Sequence, residues 1–239
     1  VSTGPHGPMV SWVLWWLCLL WVVEAAKPLC RERFPSRTDE WRECRVQIGG
    51  LAIQGASAFM NSLGPTFEGY LTSVFNASSG LEFEALPLNF NENFDYVGGN
   101  RLDYIYSNPA AYTCMMVEFK IATVASLMNY RKGNALDQFA GVIFSRVDSN
   151  FSTVNDLRRA HVAAVSISGL GAMQLQEAEL LKMGINIMTD VEQITFTGNQ
   201  NKIVQEVQNG WADVGFVRTD MIDRSVAKGN TKWEYFQVI

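Results

Sequence analysis

Small hydroxyl, amide and glycine residues gather at five places in this 239-residue chain, each just beyond a stretch of strand-like sequence: Gln54 to Ser57, Ser107-Asn108, Ser166 to Gly171, Thr197 to Gln200 and Arg218 to Asp220. Residues of these types bind rather than transform. Hydroxyls and backbone N–H groups donate hydrogen bonds to an anion, and glycines let a ligand approach the backbone closely. The segment AVSISGLGA, Ala164 to Ala172, is the most informative, because Ser166, Ser168, Gly169 and Gly171 open a predicted helix whose first N–H groups have no internal partner. The competing reading of the same residues is an ordinary serine N-cap beside a tight turn. Arg218, followed by Asp220, and Arg131 in NYRKG are each either an anion contact at the cleft or a solvated charge. The candidate ligand-binding set is therefore Gln54, Ser57, Ser107, Asn108, Arg131, Ser166, Ser168, Gly169, Thr197, Asn199 and Arg218.

Several chemistries lack their residues. Gly169-x-Gly171 is missing the third glycine of a dinucleotide fingerprint, and no GxxxxGK[ST] loop, GxSxG elbow or CxxC pair occurs. His6 and His161 are the only histidines and neither is flanked by a plausible nucleophile, so no cofactor, metal site or catalytic group is expected. The formal charge of −5 is scattered, with no basic run to track a phosphate backbone, which argues against a nucleic-acid partner.

The elements that must position these residues alternate. Arg45 to Leu51 reads as a strand; a helix starts at Gly64-Pro65 and ends at Asn76 to Gly80; Leu81 to Pro87 is a second strand, Asn91 to Val97 a helix and Leu102 to Tyr106 a third strand. Pro109 opens a helix through Met116, and Ile121 to Leu127 is another apolar strand. Beyond the polar turn Asn129 to Asn134, the strands Phe139 to Phe144, Val162 to Val165, Ile194 to Phe196 and Val214 to Val217 are separated by helices at Gly171 to Met183 and Asn201 to Gln208. Two βαβαβ runs predict an α/β protein of two lobes, each a mostly parallel sheet flanked by helices, with ligand contacts at the strand tips facing an interlobe cleft.

The N-terminus carries its own information. The apolar stretch Trp12 to Val23, ending in small residues, reads as a secretory signal peptide, with an uncleaved anchor as the alternative. That divides the chain into a leader and signal (1–26), an N-terminal extension (27–44), lobe 1 (45–140), lobe 2 (141–217) and a return towards lobe 1 (218–239). In the oxidising setting this implies, Cys30 and Cys44 close a short polar loop as a disulfide, and Cys114, in an apolar segment, is expected to be a buried small hydrophobe. Sequons at Asn76 and Asn150 fall in polar, turn-like stretches open to glycosylation, and the chain is placed outside the cell or on the outer face of a membrane.

From Val46 to Ile239 the chain resembles the phosphonate-type substrate-binding proteins of ABC transporters and related sensor domains. The resemblance rests on VQIGGLAIQG, YSNPAAY, QFAGVIFSRVDSNFSTVNDLRRAHVAAVS, FTGNQNKIVQEVQNGWADVGFVRTD and the final FQVI, in order and spacing. It implies the type II periplasmic-binding fold, with the C-terminal part of the first lobe missing, and ligand contacts at Gln54, Ser107-Asn108, Ser166 to Gly169 and Thr197 to Asn199. The chain departs from that family in Ser166-Ile167-Ser168, where proline or asparagine often accompanies the serines, and in lacking a histidine near Asn199-Gln200. The expectation is a non-enzymatic domain that binds a small anionic, phosphonate- or phosphate-like solute, either as a sensor joined to a downstream transmembrane signalling domain or as the solute-binding subunit serving a membrane permease. An enzyme on the same fold is the third reading.

Overall fold

The computed structural model describes residues 45–131 and 133–239. The expected signal segment, the expected N-terminal extension and the expected Cys30–Cys44 bridge lie outside the described residues.

In the first half, β1 (Arg45–Leu51) is the middle strand of a three-stranded parallel sheet, between β2 (Glu82–Leu88) and β3 (Tyr104–Tyr106). Its register sets Ile48 opposite Ala85 on one side and Tyr104 on the other. β1 is buried from Val46 to Leu51. Glycine is required at its end, since a Cβ on Gly50 would lie 2.3 Å from the Phe59 ring of α1 (Ala56–Ser62). A π-helical stretch, Pro65–Tyr70, runs straight into α2 (Leu71–Ser79), which stops at left-handed Gly80. Helix α3 (Phe90–Gly98) opens on a capping box: Asn89 accepts from the N–H groups of Asn91 and Glu92, and Glu92 reaches back to the Asn89 N–H. Helix α4 (Pro109–Phe119) is capped by Asn108, with proline in its first turn as predicted.

Three expectations fail here. The predicted single helix from Gly64 is preceded by α1. Ile121 to Leu127 is not a strand but an irregular and largely exposed stretch, with Val124 79% exposed. Apolar β-branched sequence expresses a surface suited to pairing, and this stretch has no ladder partner among the described residues. The pairing that does form is a separate antiparallel hairpin of β4 (Asn129–Arg131) and β5 (Asn134–Leu136). Cys114 is exposed and free. Helix α4 buries Ala110, Ala111 and Met115, and Cys114 is rotated about 100° from Met115, off that face.

The second half is a five-stranded sheet in the order β10-β6-β9-β7-β8, formed by β6 (Gly141–Arg146), β7 (His161–Ala164), β8 (Gln193–Phe196), β9 (Val214–Arg218) and β10 (Phe236–Val238). β7 runs parallel to β8 and β9, while β6 is antiparallel to β9 and β10 to β6. The connections carry a 3-10 helix at Val154–Arg159, another at Leu170–Ala172, α5 (Gln174–Lys182), α6 (Gln200–Gln208) and α7 (Met221–Ala227). Residues 218–239, expected to lead back towards the first lobe, set Arg224 of α7 against Gln54 of the first half and place the strand β10 in the second sheet. β10 lies beside β6, and buried Phe236 packs edge-on against Phe144 at 5.3 Å.

Alternation along the strands explains the two cores. Val162, Ala164, Val214 and Phe216 face one layer with Leu180, Ile185 and Ile187, whereas Ala163, Val165 and Val217 face the other with Ile203, Val204 and Met221. Leu51, Ile53 and Phe90 of the first half join this second layer, so the halves touch through apolar contact beneath the strand tips. Both sequon asparagines are exposed, but Asn76 sits within α2 rather than in a turn.

Candidate functional site

The tips of β1 and β3 meet those of β7, β8 and β9. Asn108, just past β3, accepts from the N–H groups of Ala110 and Ala111 through Oδ1 at 2.9 and 3.0 Å, which fixes its amide and leaves Nδ2 to donate to the Ser168 carbonyl of the other half at 3.3 Å. Asn199 caps α6 in the same way, its Oδ1 accepting from the Asn201 N–H at 2.9 Å. Its Nδ2 lies 3.9 Å from where a Cβ on Gly55 would stand, and the Gln200 N–H donates to the Ile53 carbonyl at 3.4 Å.

The loop after β7 is tied to its neighbours on both sides. The N–H groups of Thr197 and Gly198 donate to the carbonyls of Ala164 and Val165, each at 2.9 Å, which sets Thr197 beside Ser166. The hydroxyls of Ser166 and Ser168 are 3.3 Å apart, and the Thr197 hydroxyl donates to the Asn199 carbonyl at 2.9 Å. Buried Gly169 cannot carry a side chain, since a Cβ there would meet Val165 at 2.3 Å and the Ser166 carbonyl at 3.0 Å. Beneath the loop, buried Gln176 donates to the carbonyls of Gly171, Val217 and Val142 at 3.0 to 3.2 Å, holding it to β9 and β6. Ser107 differs from the rest: its hydroxyl oxygen is buried and has no hydrogen-bond partner among the described residues.

Ser107, Asn108, Ser166, Ser168, Gly169, Thr197, Asn199 and Gln54 are thus drawn into one region. Ser57, exposed in the first turn of α1, is not part of these contacts. Arg131 ends β4, in the hairpin that is separate from both sheets. Arg218 is at the tip of β9, below Gly171 and beside the Phe139 ring at 5.5 Å, and its guanidinium is engaged by Asp220 through Nε at 3.2 Å and Nη2 at 3.0 Å. The expected helix opening at Ser166 is displaced. A 3-10 turn intervenes and α5 begins at Gln174, after Met173 at φ −172° and ψ −66°. The serines consequently present hydroxyls from a loop rather than from a helix cap.

Gln200, named at its strand tip but left out of the binding set, accepts from the Arg218 N–H at 2.9 Å through its side-chain oxygen, and the sequence reading missed Arg224, which faces Gln54. A signal for Arg224 was present in its spacing of four from Asp220 on a helix start. No group of three or more metal-ligating side chains occurs among the described residues, and no helix among them is long and apolar enough to cross a membrane.

Residues 68–239 match the family of ABC-transporter phosphonate periplasmic substrate-binding proteins. Among solved structures, the binding component of an ABC phosphonate transporter from Pseudomonas aeruginosa superposes with a TM-score of 0.66 at 10% identity, over 82% of this chain and 64% of that one. A phosphonate-binding protein from Prochlorococcus marinus in complex with methylphosphonate gives 0.64 at 12% identity, over 82% and 71%. At such identities the likeness is one of fold, the type II periplasmic-binding fold. The tetrathionate sensor histidine kinase of Salmonella typhimurium is 26% identical over 152 residues, which is 63% of this chain and 25% of the kinase. The chain therefore spans about a quarter of that relative and less than two thirds of the Pseudomonas protein.

Proposed function

Since the chain belongs to the phosphonate periplasmic substrate-binding family of ABC-transporter proteins, we propose that it captures a small anionic solute between its two halves and closes upon it. The observation that carries this reading is the meeting of strand tips across the halves, with Asn108 bonded to Ser168 at 3.3 Å and the neighbouring Ser107 hydroxyl buried without a partner. A buried hydroxyl left unbonded costs stability, and a ligand oxygen is a partner that would recover it. The binding residues are Ser107, Asn108, Ser166, Ser168, Thr197 and Asn199, with Gln54 and Gly169 shaping the walls. Arg218 is already engaged by Asp220, so hydroxyl and N–H donors, rather than a free guanidinium, supply most of the recognition.

The domain acts outside the cytoplasm. Sensing is favoured over delivery to a permease by the likeness to a sensor kinase, a protein of which this chain would represent only the input part. Differential affinity for the closed state is what would shift the equilibrium and carry the signal. Glycans at Asn76 and Asn150 would be compatible with their exposure.

Calorimetric titration with methylphosphonate, inorganic phosphate, sulfate and tetrathionate tests the reading. Saturable binding of at least one, with a matching rise in unfolding temperature, is expected. No heat and no thermal shift across the panel would overturn it. A phosphorus NMR time course on bound methylphosphonate should show no turnover; product formation would revive an enzymatic role.

A further inference from the structure

The turn after β9 holds a charge network that the solute-facing serines do not require. Asp220 stands at φ +75°, in the left-handed region where a side chain other than glycine is strained and aspartate and asparagine are tolerated best. Its Oδ1 accepts from Arg218 Nε and Nη2 at 3.2 and 3.0 Å, and its Oδ2 faces Arg224 Nη1 at 3.9 Å. Arg224, in the last turn of α7, then reaches the other half of the molecule. With the Gln54 amide oriented so that its carbonyl faces the guanidinium, Gln54 accepts from Nη1 at 2.9 Å and Nη2 at 3.2 Å. The Gln200 N–H to Ile53 carbonyl bond spans the halves in the same region.

We propose that Asp220 and Arg224 are positioning residues that form a closure latch: they hold the two halves together through Gln54 and so set the apparent affinity of the cleft without touching the solute. This rests on the reading of the cleft as a binding site. The left-handed turn aims the Asp220 carboxylate back at α7, and that carboxylate holds Arg224 in place over Gln54. The acceptor on the first half is a neutral amide, so opening exposes no unpaired charge: Arg224 keeps Asp220 when Gln54 departs. Such a contact biases closure without locking it. Because apparent dissociation constants scale inversely with the fraction of molecules in the binding-competent state, weakening the latch weakens binding by the factor by which closure is lost.

The test reads closure directly in the solute-free full-length protein, by hydrogen exchange at the Gln200 amide. As one of the first N–H groups of α6 it has no partner within the helix, so the Ile53 carbonyl across the cleft is what protects it. Arg224→Ala is expected to speed exchange at Gln200 about three- to tenfold, with Arg224→Lys intermediate. Asp220→Asn, which keeps the tolerance for the left-handed turn and removes the charge, should also speed it. The amides of Val214 to Phe216 inside the second sheet should not change. Titration with methylphosphonate should weaken by the same factor in Arg224→Ala. Unchanged Gln200 exchange in Arg224→Ala would overturn the latch, as would acceleration at Gln200 and in β9 together, which would mean a loosened second half. Exchange is measured without solute, so a protein that bound none of the anions would fail the binding reading while leaving the latch result standing.

Discussion

Ser107 is the residue at which stability and recognition separate most cleanly. Most polar groups of the cleft already serve the fold: Asn108 and Asn199 cap helices, and Thr197 bonds its own loop. The Ser107 hydroxyl oxygen serves nothing among the described residues. Replacing it by alanine removes no internal hydrogen bond, so Ser107→Ala should leave solute-free stability unchanged or up to about 1 kcal/mol higher. If the hydroxyl meets an anion, the same change should weaken methylphosphonate binding about tenfold, since a hydrogen bond to a charged group contributes roughly 1.5 kcal/mol or more. Chemical denaturation beside calorimetry decides it; lost stability with unaltered affinity would make Ser107 a structural residue. Residue types just past predicted strands were enough to pick out Ser107, Asn108, Ser166, Ser168 and Thr197, because turn-forming, hydroxyl-bearing sequence at a strand tip is a local signal. Cys114 and Arg224 were not legible in this way. Whether a helical side chain faces the core or solvent, and which loop it faces across a cleft, depends on elements distant in sequence.

At the scale of elements, the short 3-10 helix Val154–Arg159 shows how a cap couples shape to pH. The sequence Ser152-Thr153-Val154-Asn155-Asp156 is a capping box in which Asp156 Oδ2 accepts from the Thr153 hydroxyl and N–H, each at 2.9 Å, and from the Ser152 N–H at 3.2 Å. The Thr153 hydroxyl and then the two N–H groups hold the Asp156 carboxyl below its ordinary value, with Arg159 adding to the effect. A carboxylate whose folded value is depressed stabilises the fold fully above its unfolded value, near pH ~4, and that contribution is lost as pH falls through the folded value. Thr153→Ala should therefore raise the Asp156 midpoint in an NMR titration. The stability gap between wild type and variant, present at neutral pH, should close under acid, and a gap independent of pH would show that the bond does not act through ionisation. The sequence made most elements readable for a similar reason: caps, prolines and alternation act within a few residues. It misread Ile121 to Leu127, where strand character is present but pairing is not, and it missed the helix Ala56–Ser62, which follows Gly55 without a side-chain cap. Strand formation requires a partner that periodicity cannot supply.

The whole molecule is asymmetric in a way that repeated β-α-β sequence conceals. Alternation in both halves suggested two lobes, and two lobes are present. However, the strand Phe236–Val238 joins the edge of the second sheet beside β6, where Phe236 is buried against Phe144. The sheet such a strand joins is set by which edge offers a matching apolar partner, and sequence order alone does not encode that. One consequence is that all five strands of the second sheet, and one complete buried layer built on Leu157, Val162, Leu180, Ile187 and Phe216, come from residues 141–239. The first half buries Val46, Ile48, Phe59, Ala85, Leu88, Ala111 and Met115 on its own account, but Leu51 and Phe90 are buried in a cluster shared with Val204, Val217 and Met221. A fragment of residues 141–239 should accordingly fold by itself, with a single cooperative thermal transition and dispersed amide resonances, because its sheet carries a core on at least one face without help. A fragment of residues 45–140 should melt at a lower temperature than that one, because Leu51 and Phe90 lose the partners that cover them. Its three strands bury fewer apolar side chains against the same entropy of ordering the chain. If the fragment 45–140 proved the more stable of the two, the division of the core between the halves described above would be wrong, and solute capture would have to be built on a rigid first half rather than on a second half that organises it.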